Sequence, residues 1–299
     1  MIEAVNLSKH FGSKAALDCV NFKIEKGRVF GLIGSNGSGK STLLRILAGV
    51  YSPEGGFISV DHQKVFDNPA LKGKIFFLCD TPYFFPGADT NEMALFYESF
   101  YPRFSKERLD KMSQIFSIDR KARISTMSKG MQRQVALALA FSCRPDYLLL
   151  DEAFDGLDPV MRDLLKRLIA EDISEVQSTV IIASHNLREL EDLCDFIGLL
   201  HQGKIVLSGE LDNIKSGIHK IQAVFKTVPE KNELSGLNLL KCDRSGSMLQ
   251  MVVKGNIEAI EGYIKCLDPV FYETLQPSLE ELFILELGGL GYEANGLTY

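Results

Sequence analysis

The segment Gly34-Ser35-Asn36-Gly37-Ser38-Gly39-Lys40-Ser41-Thr42 has the residue types and spacing to hold phosphate. Glycine lets the backbone close around phosphate oxygens where a Cβ would collide. The backbone N–H groups then point inward, and a following helix adds the partial positive charge of its N-terminus. Lys40 neutralises the outer phosphates, and the Ser41 hydroxyl offers Mg²⁺ a hard oxygen ligand. These nine residues are therefore assigned to nucleotide binding.

Tyr147-Leu-Leu-Leu-Asp151-Glu152 is an apolar strand ending in two carboxylates. Asp151 is placed for the Mg²⁺ shell and Glu152 to polarise an attacking water. Phosphoryl transfer to water needs metal, positioning and charge neutralisation more than covalent chemistry. His185 directly follows the apolar run Val180 to Ser184, at a strand end where ligand sites gather in open α/β sheets. It is assigned to hold water or contact the γ-phosphate, although a surface or capping histidine has the same local pattern. Met127-Ser128-Lys129-Gly130-Met131-Gln132-Arg133 precedes a helical run. A serine hydroxyl, a glycine backbone and a helix N-terminus there form a second phosphate-binding surface. It would more naturally face another molecule's γ-phosphate than the chain's own pocket, and a capped helix start explains the same residues.

These groups need strands and helices to position them. Val20, Phe22 and Ile24 alternate as in a half-buried strand, and Arg28 to Ile33 reads as a buried one. Leu43, Leu44, Ile46 and Leu47 have helical spacing, and Gly49 is placed to end that helix. From Thr90 to Ala140 the pattern is mostly helical, broken at Pro102 and at Ser125 to Gly130. Asp158-Pro159 is a helix start, and His201-Gln202-Gly203-Lys204 marks a hairpin. After about Lys215 two strands, Ile221 to Lys226 and Met248 to Lys254, and two helices, Ile257 to Cys266 and Ser278 to Leu287, form a small α+β unit.

The chain has 299 residues, with 33 Lys+Arg against 39 Asp+Glu and a net charge of −6. The composition is 45% hydrophobic and 24% charged, which is globular and not that of a broad nucleic-acid binder. No apolar run has the length of a membrane span, and the N-terminus does not read as a secretory signal. Six scattered cysteines without a CxxC pair read as reduced thiols.

In their order from Phe11 to His185 these motifs resemble those of the nucleotide-binding subunits of ATP-binding cassette (ABC) transporters. The resemblance covers about residues 1–215. It is specific because Ser128-Lys129-Gly130 sits just upstream of the Asp151-Glu152 strand. It implies an ATPase using ATP and Mg²⁺, with a P-loop α/β domain over 1–215. That domain has a mixed-sheet core, an antiparallel β subdomain and a helical subdomain at about 88–140; a small α+β C-terminal domain follows at 216–299. It further implies a head-to-tail dimer with two ATP molecules, each held between one chain's P-loop and the other's Ser128, Lys129 and Gly130. Phe11, by itself a plausible core aromatic, would stack on adenine. Asp155-Gly156-Leu157-Asp158 resembles the loop that crosses the dimer interface. The implied partners are a second ATPase subunit and separate transmembrane permease subunits, with the chain peripheral on the cytoplasmic membrane face and no nucleic-acid partner.

Three departures from the family pattern stand out. Leu-Ser-Gly-Gly-Gln is replaced by Met127-Ser128-Lys129-Gly130-Met131, and Ala153-Phe154 follows the catalytic glutamate where Pro-Thr or Pro-Ser is usual. Asp80 stands where the family has a glutamine that contacts Mg²⁺ or water, so Asp80 joins Ser41 and Asp151 as a metal candidate. The aromatics after it, Tyr83-Phe84-Phe85-Pro86, are either core or a groove for a partner's helix. The tail from Gln276 to Leu287 resembles C-terminal extensions of exporter subunits. The expected function is ATP hydrolysis driving export. The alternatives are a soluble ABC ATPase of translation or DNA repair, and a weakly hydrolysing ATP-dependent regulator.

Overall fold

Two long strands, β1 (Ile2–Phe11) and β2 (Lys14–Ile24), pair antiparallel across a turn at Gly12. Val20, Phe22 and Ile24 are buried, as the two-residue period requires. The fully buried β3 (Val29–Ile33) leads through the glycine loop into α1 (Lys40–Leu47), which buries Leu43, Leu44, Ile46 and Leu47. Gly49, at φ 67°, follows the last turn of α1. β4 (Gly55–Val60) and β5 (Gln63–Lys64) return to the first sheet, whose order is β2-β1-β4-β5. Next come α2 (Pro69–Lys72), capped by Asn68, and β6 (Ile75–Leu78).

The helical stretch is α3 (Thr90–Glu98), α4 (Lys106–Ile115), a short turn at Ile124–Thr126 and α5 (Lys129–Ser142). Its starts are explicit: Asp89 and Glu92 form a capping box on α3, Ser105 caps α4 and Ser128 caps α5. The chain then passes through β7 (Tyr147–Asp151), α6 (Pro159–Val176), β8 (Thr179–Ser184), α7 (Leu187–Glu191), β9 (Phe196–His201) and β10 (Lys204–Glu210). Asp158 caps α6 with Pro159 in its first turn. The central sheet has the order β10-β9-β3-β8-β7-β6, and β9, β3, β8, β7 and β6 pair parallel in that order. One cluster of buried side chains joins it to α1 and the antiparallel sheet, through Leu32, Leu43, Ile181, Ile2, Leu7 and Leu17.

The structure, a computed structural model, describes residues 1–230 and 232–289. The chain divides into two units, Met1–Gly209 and Glu210–Tyr299. The second begins a few residues before the change in sequence character near Lys215, so it takes in α8 (Leu211–Lys215). It continues with β11 (Ile218–Val224), β12 (Leu239–Ser245), β13 (Met248–Lys254), α9 (Ile257–Cys266), β14 (Phe271–Leu275) and α10 (Leu279–Gly289). Its antiparallel sheet, ordered β12-β13-β11-β14, has its own core of Ile221, Ala223, Phe225, Met251, Ile260 and Ile264. All six cysteines are free thiols. Among the described residues no helix is long and apolar enough to cross a membrane.

Candidate active site

Four parallel neighbours, β3, β8, β7 and β6, end at one edge of the central sheet. Ile33 pairs with Ser184, Ala183 with Asp151, and Leu150 with Leu78. The residues that follow these strand ends therefore gather: Gly34 after β3, His185 after β8, Glu152 after β7, and Cys79 and Asp80 after β6. Beside them lies a pocket of about 330 Å³. Its lining includes Phe11, Lys14, Ala16, Asn36, Gly37, Gly39, Lys40, Ser41, Thr42, Asp80 and Glu152.

Glycine is required at two loop positions. A Cβ on Gly34 would lie 2.4 Å from the Leu200 carbonyl and from Ser38 Oγ. Gly39 has φ 114°, and a Cβ there would lie 2.4 Å from the Ala16 carbonyl. The Lys40 side chain, 5% exposed, donates to the carbonyls of Gly34 at 2.7 Å and Ser35 at 3.3 Å.

Lys40 Nζ also lies 3.3 Å from Glu152 Oε1. The other carboxylate oxygen, Oε2, is 2.9 Å from His185 Nδ1 and accepts the His185 backbone N–H at 3.3 Å. Glu152 has φ 49°, a left-handed conformation that is costly for a residue with a Cβ. Its N–H donates to the Ala183 carbonyl at 2.9 Å, which holds that turn across β7 and β8. Backbone strain here aims one carboxylate between an ammonium and an imidazole. Asp155 approaches as well: ligand atoms of Glu152, Asp155 and His185 lie within 4.8 Å of one another. With Glu152 already paired to Lys40 and His185, proton handling suits this cluster better than metal ligation.

Asp151 is fully buried, and neither of its carboxylate oxygens accepts a hydrogen bond. Burial pushes its carboxyl above the usual carboxylate range, and Glu152 adds to that; Ser41, close but short of a hydrogen bond, pulls the other way. An orphaned carboxylate beside a serine hydroxyl, both hard oxygen donors, fits a Mg²⁺ ion.

Asp80 lines the pocket, but its Oδ1 lies 3.3 Å from Arg133 Nη2. Phe11 is 48% exposed at the pocket rim and packs edge-on against Tyr51, with centroids 5.5 Å apart. Ser128 and Lys129 are exposed and lie outside the pocket lining, and Ser128 Oγ accepts the Met131 N–H at 3.3 Å. Gly130 packs near the Gly156 carbonyl, to which a Cβ on Gly130 would come within 3.4 Å. Asp158 caps α6 through the Met161 N–H at 3.0 Å. Sequence reasoning missed Lys14 in the pocket wall and the Arg133 contact; an arginine two residues before the apolar run that starts at Val135 was the available signal for the second.

Residues 17–155 match the family model described as ABC transporter. The chain is 29% identical to the ABC transporter ATP-binding protein YtrB of Bacillus subtilis, over 97% of this chain and 99% of that protein. It is 32% identical to the lantibiotic transport ATP-binding protein SrtF of Streptococcus pyogenes, over 71% of this chain and 92% of that protein. The chain belongs to the ABC transporter ATP-binding family. A solved ATP-binding subunit of an ABC transporter superposes with a TM-score of 0.67 at 26% identity, covering 72% of this chain and 92% of that one. This ABC ATPase therefore has the fold its motifs implied: a mixed-sheet core, an antiparallel β subdomain and a helical subdomain. The YtrB match extends through the second unit as well.

Proposed function

We propose that this ATPase hydrolyses ATP in a head-to-tail dimer to drive export through separate membrane subunits. The observation that carries the catalytic part is Glu152, held between Lys40 and His185 at the pocket wall. In this reading Phe11 stacks on adenine, and the N–H groups of residues 34–42 cradle the triphosphate. Lys40 neutralises the outer phosphates. Ser41 and Asp151 would hold Mg²⁺, which when bound supplies further charge neutralisation at the phosphates. Glu152 orients the attacking water and takes up its proton. His185 fixes the carboxylate through Nδ1. Water attacks the γ-phosphorus, the bond to the β,γ-bridging oxygen breaks, and ADP and phosphate form.

Ser128 and Lys129, exposed and outside the chain's own pocket, support contact with a second chain's γ-phosphate, with Gly130 adding its backbone. Asp155, Gly156 and Asp158 would then lie along the interface. Tyr83, Phe85 and Phe96 expose aromatic surface at a groove of about 260 Å³ next to Cys79. That groove suits a helix of a permease subunit and would place this chain on the cytoplasmic face of the membrane. Export, as opposed to uptake, rests on the C-terminal segment alone; ATP-driven efflux from cells carrying the whole transporter tests it, and net uptake refutes it.

The catalytic reading is tested by Glu152→Gln and Lys40→Ala. Glu152→Gln should retain ATP binding and lose about 10²-fold or more in turnover, the scale of general-base catalysis. Lys40→Ala should lose tight ATP binding. Wild-type turnover in Glu152→Gln would refute the assignment.

A further inference from the structure

We infer that Arg133 is a positioning residue of the nucleotide pocket: it pairs with Asp80 and neutralises a carboxylate that would otherwise repel the bound triphosphate. The inference rests on the ATP-hydrolysing reading above.

Asp80 shares the pocket wall with Lys40, Ser41 and Glu152, and its side chain is 60% exposed. An acid at this place is electrostatically wrong for a ligand that carries several negative charges. Arg133 is 8% exposed and stands near the start of α5, a helix whose following residues 135–142 are all buried. A buried guanidinium is retained only where its charge and its N–H groups are satisfied. Its partners are specific. Nη2 donates to the Asp80 carbonyl at 2.6 Å and to Asp80 Oδ1 at 3.3 Å, and Nη1 donates to the Cys79 carbonyl at 3.5 Å. The same side chain thus grips the backbone after β6 and cancels the charge of the acid it carries. Asp80 and Arg133 are a matched pair, and the acid is tolerated beside the phosphate site because the cation is there. Arg133 also follows Ser128 on one helix. The pair therefore ties the element proposed to meet a second chain's phosphate to the wall of this chain's own pocket.

The test is a double-mutant cycle on affinity for a fluorescent ATP analogue with Mg²⁺. Wild type, Arg133→Gln, Asp80→Asn and the double variant are compared. Charge neutralisation predicts that Arg133→Gln weakens binding about tenfold or more when Asp80 is present and by less than about threefold in the Asp80→Asn background, whatever Asp80→Asn itself does to affinity. The double variant should return to within about threefold of Asp80→Asn. The Arg133→Gln defect should also shrink with added NaCl, as an exposed charge effect must. If Arg133 serves only the two backbone carbonyls, its loss costs the same with or without the Asp80 charge, and that additivity overturns the inference. Arg133→Lys keeps the charge and loses the fork, so it separates charge from folding. Near-wild-type affinity supports neutralisation, and a loss equal to that of Arg133→Gln overturns it. Failure of wild type itself to bind the analogue would instead refute the functional reading beneath.

Discussion

Arg162 reaches the buried Glu189 carboxylate at 3.3 Å and donates through Nε to the Leu157 carbonyl at 3.0 Å. One side chain thus joins α7, just after His185, to the loop that follows Glu152. Glu189 also accepts from Ser184 Oγ and Asn186 Nδ2, each at 3.0 Å, so the residues on both sides of His185 are anchored to it. Burial pushes the Glu189 carboxyl above its ordinary range, opposed by Ser184 and Arg162. Arg162→Ala leaves this carboxylate buried without its cation. The expected cost is about 1–3 kcal/mol in urea unfolding, below the range for a fully buried pair because Arg162 is partly exposed. Turnover should fall more than ATP affinity, since the network positions His185 and the 155–158 loop and not the P-loop. Equal changes in kcat and KM would show the effect to be general loosening.

Asp151 carries a stability penalty that the proposed Mg²⁺ site accounts for. Its buried carboxylate has no hydrogen-bond partner, so Asp151→Asn should raise the apo-protein's stability by about 1 kcal/mol while removing the proposed Mg²⁺ ligand. Thermal melts with and without Mg²⁺-ATP check both halves. Wild type should gain more from Mg²⁺-ATP than the variant does. An apo variant less stable than wild type would contradict the account.

Asp61 predicts a pH dependence. Burial opposes its ionisation, but hydrogen bonds from Lys26, the Met1 ammonium and Tyr147 outweigh it and hold the carboxyl well below the usual carboxylate range. A lowered folded-state value stabilises the protein above the unfolded value of about 3.9 and ceases to do so as the pH falls through the folded one. The stability difference between wild type and Asp61→Asn should be constant from neutral pH to about 5 and shrink below about 4. Urea midpoints across that range measure it.

Phe11 is half-exposed at the rim of the pocket, with Lys9 Nζ 5.6 Å from its ring centroid, and in the proposed reading its ring stacks on the base. Phe11→Ala should weaken ATP binding about fivefold to tenfold, the lower end of measured base–aromatic stacking. Discrimination between ATP and GTP should hardly change, because stacking reads no base edges. Titration with both nucleotides checks this.

The P-loop was legible because it is local: the glycines, Lys40 and Ser41 lie within nine consecutive residues and carry their own geometry. Caps were legible for the same reason, as at Ser128 and Asp158. The meeting of Glu152 with His185 depends on β7 and β8 being neighbours, which the rule for strand ends suggests but periodicity does not establish. The Asp80–Arg133 pair was not legible, since 53 positions separate its members and only the packing of α5 against the end of β6 brings them together. The second unit taught the same lesson. Its strands were partly readable, but the placing of β14 beside β11 came from tertiary pairing.

In the proposed dimer two chains complete each reaction centre. Light scattering on Glu152→Gln, with and without saturating Mg²⁺-ATP, tests it most directly when repeated on the Glu152→Gln/Ser128→Arg double variant. The account predicts that ATP doubles the mass of the first protein, while the double variant binds ATP and stays monomeric. A monomer that holds ATP in both, or a dimer indifferent to Ser128→Arg, would contradict it.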